Sequence, residues 1–268
     1  MCRLFGILAA GEVDLKVSLL DAPFQFHSRG HTNPDGWVLG CFKDWQVQLL
    51  KHDLPPKGEL SPEQGEGSAT SRLLMAHVRR SSRAPRAVRN CHPFTHDGWM
   101  FAHNGALFPM LEKWVRKNVG AVKYEGQTES EAIFRWILIN IEKAGSVEEG
   151  IATAVTPLIV DGQLSSLNFL LARQDQLYAF RYATRSIDYY SLYYLRRPAG
   201  GEIAASSKDV HTKLATRGLA AFHSVVVASE AITDGPWQML GLGELLSDRK
   251  STRLNSSHSR ASRMPSSA

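Results

Sequence analysis

Cysteine is scarce in this chain. Only Cys2, Cys41 and Cys91 occur in 268 residues, an odd number with no C-x-x-C spacing. That excludes a disulfide framework, and Cys91-His92 has no matching pair that would make a zinc site. A reducing compartment fits this usage. Long apolar runs are also missing: the stretch from Leu4 to Ala10 is too short to span a bilayer, and Glu12 and Asp14 close it without a signal-peptide cleavage site. The expectation is a cytoplasmic protein with no membrane contact. No Gly-rich phosphate loop of the Walker type is present, which argues against ATP use by this chain, and no cofactor or metal is expected. There is no internal repeat, no linker that would divide the chain and no alternating βαβ rhythm.

Positive charge is scarcer than the totals suggest. The formal charge is +5, but residues 248–268 hold Arg249, Lys250, Arg253, Arg260 and Arg263 against Asp248 alone. The body is left nearly neutral, without a dense Lys/Arg stripe interleaved with aromatics, so nucleic acid is not expected as a partner. The tail has seven serines in its last eighteen residues and no apolar period. It is expected to be disordered, and its Arg249–His258 stretch looks like translated adaptor or vector sequence. Residues 1–247 are then read as a single domain.

What remains is 43% hydrophobic residues, enough for a large core. Residues 3–9 read as a buried strand and 14–28 as a helix and loop interrupted by Pro23. Gly36–Phe42 and Trp45–Lys51 read as a hairpin turned at Lys43-Asp44. Short strands are expected at Leu73–Val78 and Trp99–Ala102. Helical periodicity comes next: Ile133, Ile137 and Ile141 share a face, and Thr128 with Glu131 has capping-box spacing, so a helix starts at 128 or 129. A second helix covers roughly 147–156. Strand-like runs return at 167–172, 176–182, 191–195, 202–206 and 224–229. Strands, two helices, then strands again predict an α+β fold of antiparallel sheets with segregated helices.

Several residues can carry chemistry. Cys2 follows Met1 directly, and its small side chain permits Met1 to be removed. The residue would then hold a sulfur nucleophile and an α-amine near neutral pKa within one side chain's reach. It also reads as an ordinary cysteine near a terminus. Arg79, at a strand end, has a guanidinium fork suited to a substrate carboxylate, or is simply solvated there. Asn104-Gly105 reads as a turn, or as two neutral donors for an oxyanion. His92 and His103 invite a general-base reading, yet with a terminal amine as base no histidine is required. Glu131 is accounted for by capping. Glu129 complements the helix dipole or serves as counter-ion to a substrate ammonium.

Taken together, Met1-Cys2 with Arg3 to Gly6, Asp35-Gly36-Trp37, Ala76-His77-Val78-Arg79, Asn90 to Phe94, His103-Asn104-Gly105 and Thr128 to Glu131 occur in the order of a known family. The chain resembles the class II glutamine amidotransferases, nearest the stand-alone YafJ-like members. The similarity runs on through Val225 to Ser229 and Trp237 to about Leu246. The resemblance implies an N-terminal-nucleophile fold, a four-layer αββα sandwich with two antiparallel sheets. It also implies roles: Cys2 attacks the glutamine side-chain amide with its own amine as base, and Asn104 and the Gly105 N–H form the oxyanion hole. Arg79 binds the α-carboxylate and Glu129 the α-amine. Ammonia leaves, and water hydrolyses the γ-glutamyl thioester. The family commonly has Thr-Asp-Ser-Glu where this chain has Thr128-Glu129-Ser130-Glu131. The extra methylene moves the carboxylate by about 1 Å, a misplacement that can cost about tenfold in rate. Two alternatives stay open: an amidase for another γ-glutamyl amide, of the ergothioneine- or glutathione-pathway type, and a catalytically weakened partner subunit. Any ammonia-acceptor chemistry falls to a separate chain.

Overall fold

A computed structural model describes residues 3–18, 36–52, 66–79, 85, 87–199, 204–206, 213–217, 221–233, 235–249 and 258–263. Of these, 15–18, 36–37, 51–52, 66–68, 79, 204–206, 213–217 and 258–263 are described by their backbone alone. The chain opens with β1 (Arg3–Ser18), β2 (Gly36–Lys43), β3 (Gln46–His52) and β4 (Glu66–Arg79), then β5 (Phe94–His96) and β6 (Trp99–Leu107). Three helices come next, α1 (Pro109–Val119), α2 (Glu129–Lys143) and α3 (Val147–Asp161). Strands resume with β7 (Leu164–Arg173), β8 (Gln176–Arg181), β9 (Tyr193–Arg197), β10 (Ala204–Ser206), β11 (Lys213–Arg217) and β12 (Ser224–Ala228). The last are β13 (Gln238–Met239), β14 (Glu244–Arg249) and β15 (His258–Arg263).

Among the described residues these strands make two antiparallel sheets. One has the order β13-β9-β12-β1-β4-β2-β3, with β11 also pairing β1 and β10 pairing β11; the other runs β15-β14-β8-β7-β6-β5. The two-residue alternation of β1 explains its central place. Leu4 and Leu8 face the second sheet with Leu73, Met75, Val225 and Val227, meeting Met100, Ala102, Leu170, Ala172 and Leu177. Phe5, Ile7 and Ala9 point the other way, into a separate core with Leu74, Ala76, Val226 and Ala228. Gly6, between Leu4 and Leu8, is packed closely against the second sheet: a Cβ there would lie 3.1 Å from Leu170 Cδ1. The far face of the second sheet, with Phe101, Phe169, Leu171 and Phe180, is covered by Leu111 and Val115 of α1, Ile133 and Ile137 of α2 and Val155 and Leu158 of α3. The α+β class with two antiparallel sheets is therefore as expected. The helices described lie on one side of the sheets; the second helical layer of an αββα sandwich is not among the described residues.

Three local expectations change. Residues 14–18 continue β1 rather than start a helix, after a register shift between Leu8 and Val13; Pro23 lies outside the described residues. Helix α1 is additional to the two expected helices, although Leu111, Val115 and Val119 recur at four-residue spacing behind Pro109 at its first turn, and Gly120 ends it at φ 83°. The tail boundary also differs. β14 runs to Arg249, and the backbone of 258–263 pairs with it. Ser247 Oγ donates to Glu148 Oε1 at 2.8 Å, while Arg249 donates to Glu148 Oε2 at 3.0 Å and to Tyr178 Oη at 3.2 Å. The two bonds to Glu148 fasten the strand to the first turn of α3, and the third ties it to β8.

Candidate active site

One end of the first sheet gathers the N-terminal residues. Arg3 stands opposite Val78, and Gly36 opposite Arg79, so the strand entered from Cys2, the end of β4 and the start of β2 lie side by side. Cys2 itself, and the side chain of Arg79, are outside the described residues. Arg3 Nε lies 3.3 Å from Glu230 Oε1, an ion pair between the first residue of β1 and the segment after β12. The other two thiols are poorly suited to attack: Cys91 donates to the Ala87 carbonyl at 3.7 Å, and burial pushes the Cys41 thiol up from its ordinary value.

On the second sheet, Asn104 and Gly105 lie within β6, opposite Asn168 and Leu167, rather than in a turn. Ser166 Oγ donates to the Asn104 carbonyl at 2.9 Å, and the Ala106 N–H donates to Ser165 Oγ at 3.1 Å, beside the register shift between Gly105 and Leu107. Close backbone approach dictates glycine here. A Cβ on Gly105 would stand 1.9 Å from the Ser166 carbonyl oxygen and 2.8 Å from His103 Nε2.

His103 points to the helical side of β6 and is fully buried. Its Nδ1 is 3.0 Å from Ser130 Oγ and its Nε2 is 3.4 Å from the Ser166 carbonyl. A carbonyl only accepts, so Nε2 carries the proton and Nδ1 accepts from the serine hydroxyl. Burial lowers the imidazole pKa to about 4. His103 is thus a neutral bridge to α2 rather than a general base. His92 is also buried, its ring 4.4 Å from that of His77 on β4 and 4.8 Å from Phe94.

Glu129 opens α2, and the residues before it are held from three directions. The Glu131 carboxylate accepts from the Glu125 and Gly126 N–H groups, both at 2.8 Å. Asn90, in a 3-10 turn at Val88–Asn90, accepts from Gln127 N–H at 2.8 Å and donates to the Pro85 carbonyl at 3.0 Å. From α1, Arg116 donates to the Thr128 carbonyl at 3.1 Å and lies 4.9 Å over the Tyr124 ring. The expected capping box is not made: Thr128 stands at the N-cap position but makes no side-chain cap bond, and the Glu131 carboxylate is taken by the Glu125 and Gly126 N–H groups. Asn90 and Ser130 lie inside motifs visible in the sequence, but their holding roles depend on contacts 37 and 27 residues away in the chain.

Among the described residues no group of three or more His, Cys, Asp or Glu side chains could hold a metal ion, and no helix is long and apolar enough to cross a membrane. The family model described as glutamine amidotransferases class-II matches residues 1–268. Escherichia coli YafJ is 26% identical over 280 residues, spanning 91% of this chain and 99% of that protein. A crystal structure of a predicted glutamine amidotransferase from Pseudomonas aeruginosa PA01 shares the fold at TM-score 0.71 and 21% identity, over 91% of this chain and 96% of that one. Glutamine phosphoribosylpyrophosphate amidotransferase of B. subtilis matches at TM-score 0.56 and 15% identity, over 98% of this chain and 49% of that one.

Proposed function

This chain belongs to the class II glutamine amidotransferases, and we propose that it hydrolyses the side-chain amide of free glutamine to glutamate and ammonia through a γ-glutamyl thioester on Cys2. The observation that carries this reading is the bridge between Asn104-Gly105 and the start of α2: His103, one residue before Asn104, bonds Ser130, one residue after Glu129. This bond supports the reading because it ties the strand of the proposed oxyanion donors to the helix start that carries the proposed ammonium partner.

In this mechanism the α-amine of Cys2 takes the thiol proton, and sulfur attacks the amide carbon. The developing oxyanion is met by the Asn104 side-chain amide and the Gly105 N–H, and loss of one such donor typically costs about 100-fold or more in kcat. The protonated amine gives its proton to the departing nitrogen as the C–N bond breaks, and ammonia leaves. It then deprotonates water, which attacks the thioester; the C–S bond breaks, the thiol regains its proton and glutamate is released. Arg79 would hold the α-carboxylate through its fork and Glu129 the α-ammonium.

Intact mass of the purified chain, before and after treatment with the glutamine-mimicking electrophile diazo-oxo-norleucine, tests this. Loss of Met1, one label on Cys2 and no turnover by Cys2→Ala are expected. Full activity in a chain retaining Met1, or in the Cys2→Ala variant, would overturn the reading. Faster turnover of γ-glutamyl amides than of glutamine would move the substrate while keeping the chemistry.

A further inference from the structure

The ladder between β1 and β12 ends in an unusual way. Paired residues run from Ala9 with Ser224 to Phe5 with Ala228, which places Leu4 beside Ser229 at the next step. Ser229 N–H donates to the Leu4 carbonyl at 3.0 Å, as an antiparallel pair requires. The return bond does not go to the Ser229 carbonyl. Leu4 N–H instead donates to Ser229 Oγ at 2.9 Å, while the Ser229 carbonyl accepts from Ser191 Oγ at 2.8 Å. A side-chain hydroxyl thus replaces a main-chain rung, and the carbonyl it frees reaches out of the sheet.

That carbonyl is the first link of a chain to the other sheet. Ser191 belongs to the segment before β9, and its own carbonyl, with that of Tyr190, accepts from Asn168 Nδ2 at 3.4 and 3.1 Å. Asn168 Oδ1 accepts from Tyr182 N–H at 3.1 Å, which fixes the amide orientation. Asn168 stands opposite Asn104 in the β6–β7 pair. Buried Arg181 braces the same segment, donating to the carbonyls of Ile187, Tyr190 and Leu240 at 2.9, 3.0 and 2.8 Å. Leu4, Asn168 and Ser229 are all buried, so a polar group left unpaired among them is costly.

We propose that Ser229 is a positioning residue for the reaction: its hydroxyl holds Leu4, two residues after Cys2, and its carbonyl ties that strand end through Ser191 and Asn168 to the strand bearing Asn104. The inference rests on the functional reading above. The distance between the attacking sulfur and the oxyanion donors then depends on this serine. Ser229→Ala removes the acceptor of Leu4 N–H. The main-chain carbonyl can swing back to replace it only by releasing Ser191.

The test is steady-state glutamine hydrolysis by the parent chain and by Ser229→Ala, Ser229→Thr and Ser191→Ala, each normalised to sites titrated by diazo-oxo-norleucine. Normalising to titrated sites removes losses from poor folding. Ser229→Ala is expected to lower kcat about tenfold or more with KM within about twofold, since small misplacements of reacting atoms act on the chemical step. Ser229→Thr, which keeps the hydroxyl, should recover most of it, and Ser191→Ala should fall between. A Ser229→Ala kcat per titrated site within about twofold of the parent, or a loss that threonine does not recover, overturns the inference and leaves the functional reading intact. A parent chain that turns over neither glutamine nor a γ-glutamyl amide overturns that reading, and this inference with it.

Discussion

His103 Nδ1 accepts a hydrogen bond from Ser130 Oγ at 3.0 Å, joining the strand that carries Asn104 to the helix that begins at Glu129. Each partner adjoins a residue assigned to glutamine in the proposed mechanism, so in that mechanism the bond would set the span between the amide end and the amino end of the substrate.

Ser130→Ala should therefore act on recognition of the amino acid. It leaves a buried ring nitrogen without its donor, a loss of about 1 to 3 kcal/mol in stability. KM for glutamine is expected to rise about fivefold or more, with a smaller fall in kcat. Steady-state kinetics and urea unfolding check both, and an unchanged KM would contradict the assignment of Glu129 to the ammonium.

Acid should unfold this protein through His103. The folded imidazole has a pKa of about 4 against 6.5 as the ordinary value, so below 6.5 the unfolded chain binds a proton that the folded chain refuses. Stability is complete above that range and falls as the pH drops from 6.5 towards 4, by about 3 kcal/mol in all. Urea midpoints measured from pH 7 to pH 4 should show this slope, and a His103→Gln variant should lose most of it.

Gly105→Ala is expected to be severe. Its added carbon would stand 1.9 Å from a backbone oxygen, which no rotamer change relieves. Either β6 separates from β7 or the chain unfolds, at a cost of about 3 kcal/mol or more. Thermal melts and glutamine turnover should both collapse; near-parental values in either would show that the β6–β7 approach is looser than the structure has it.

Much of this architecture is legible in the sequence because its signals are local. The hairpin β2–β3, though its turn falls at Asp44-Trp45 rather than Lys43-Asp44, the strands flanking the helices and the periodic face of α2 emerge from two- and four-residue patterns alone. Helix α1 is harder to see because charged residues surround Leu111, Val115 and Val119, although their spacing and Pro109 are visible. The strand character of 14–18 depends on pairing with β4 and β11, which no local window contains. At the site, residue types can be named from their motifs. Glycine at 105 looks like turn chemistry, whereas its cause is the Ser166 carbonyl, 61 residues on in the sequence. The Ser229 link is invisible for the same reason: its partners are 38 and 225 residues away.

Truncation separates the contribution of β14 from that of the residues beyond it. A chain ending at Arg249 keeps Leu245 and Leu246, buried in two different cores, and is expected to fold with a modest loss in Tm. A chain ending at Gly243 loses both, and with roughly 2 to 3 kcal/mol from each buried leucine it should not fold. Circular dichroism melts of the two would decide; similar melting points would mean that β14 adds little.

Gly6 gives the molecule a lever. Because that position has no side chain of its own, the gap behind the strand that begins just after Cys2 is gauged by Leu170 and Leu177, which belong to the opposite sheet. A bulkier or slimmer residue at either leucine would tilt the chain's leading strand without altering one of its atoms, so under the proposed mechanism the nucleophile would be retuned from the far wall of the sandwich.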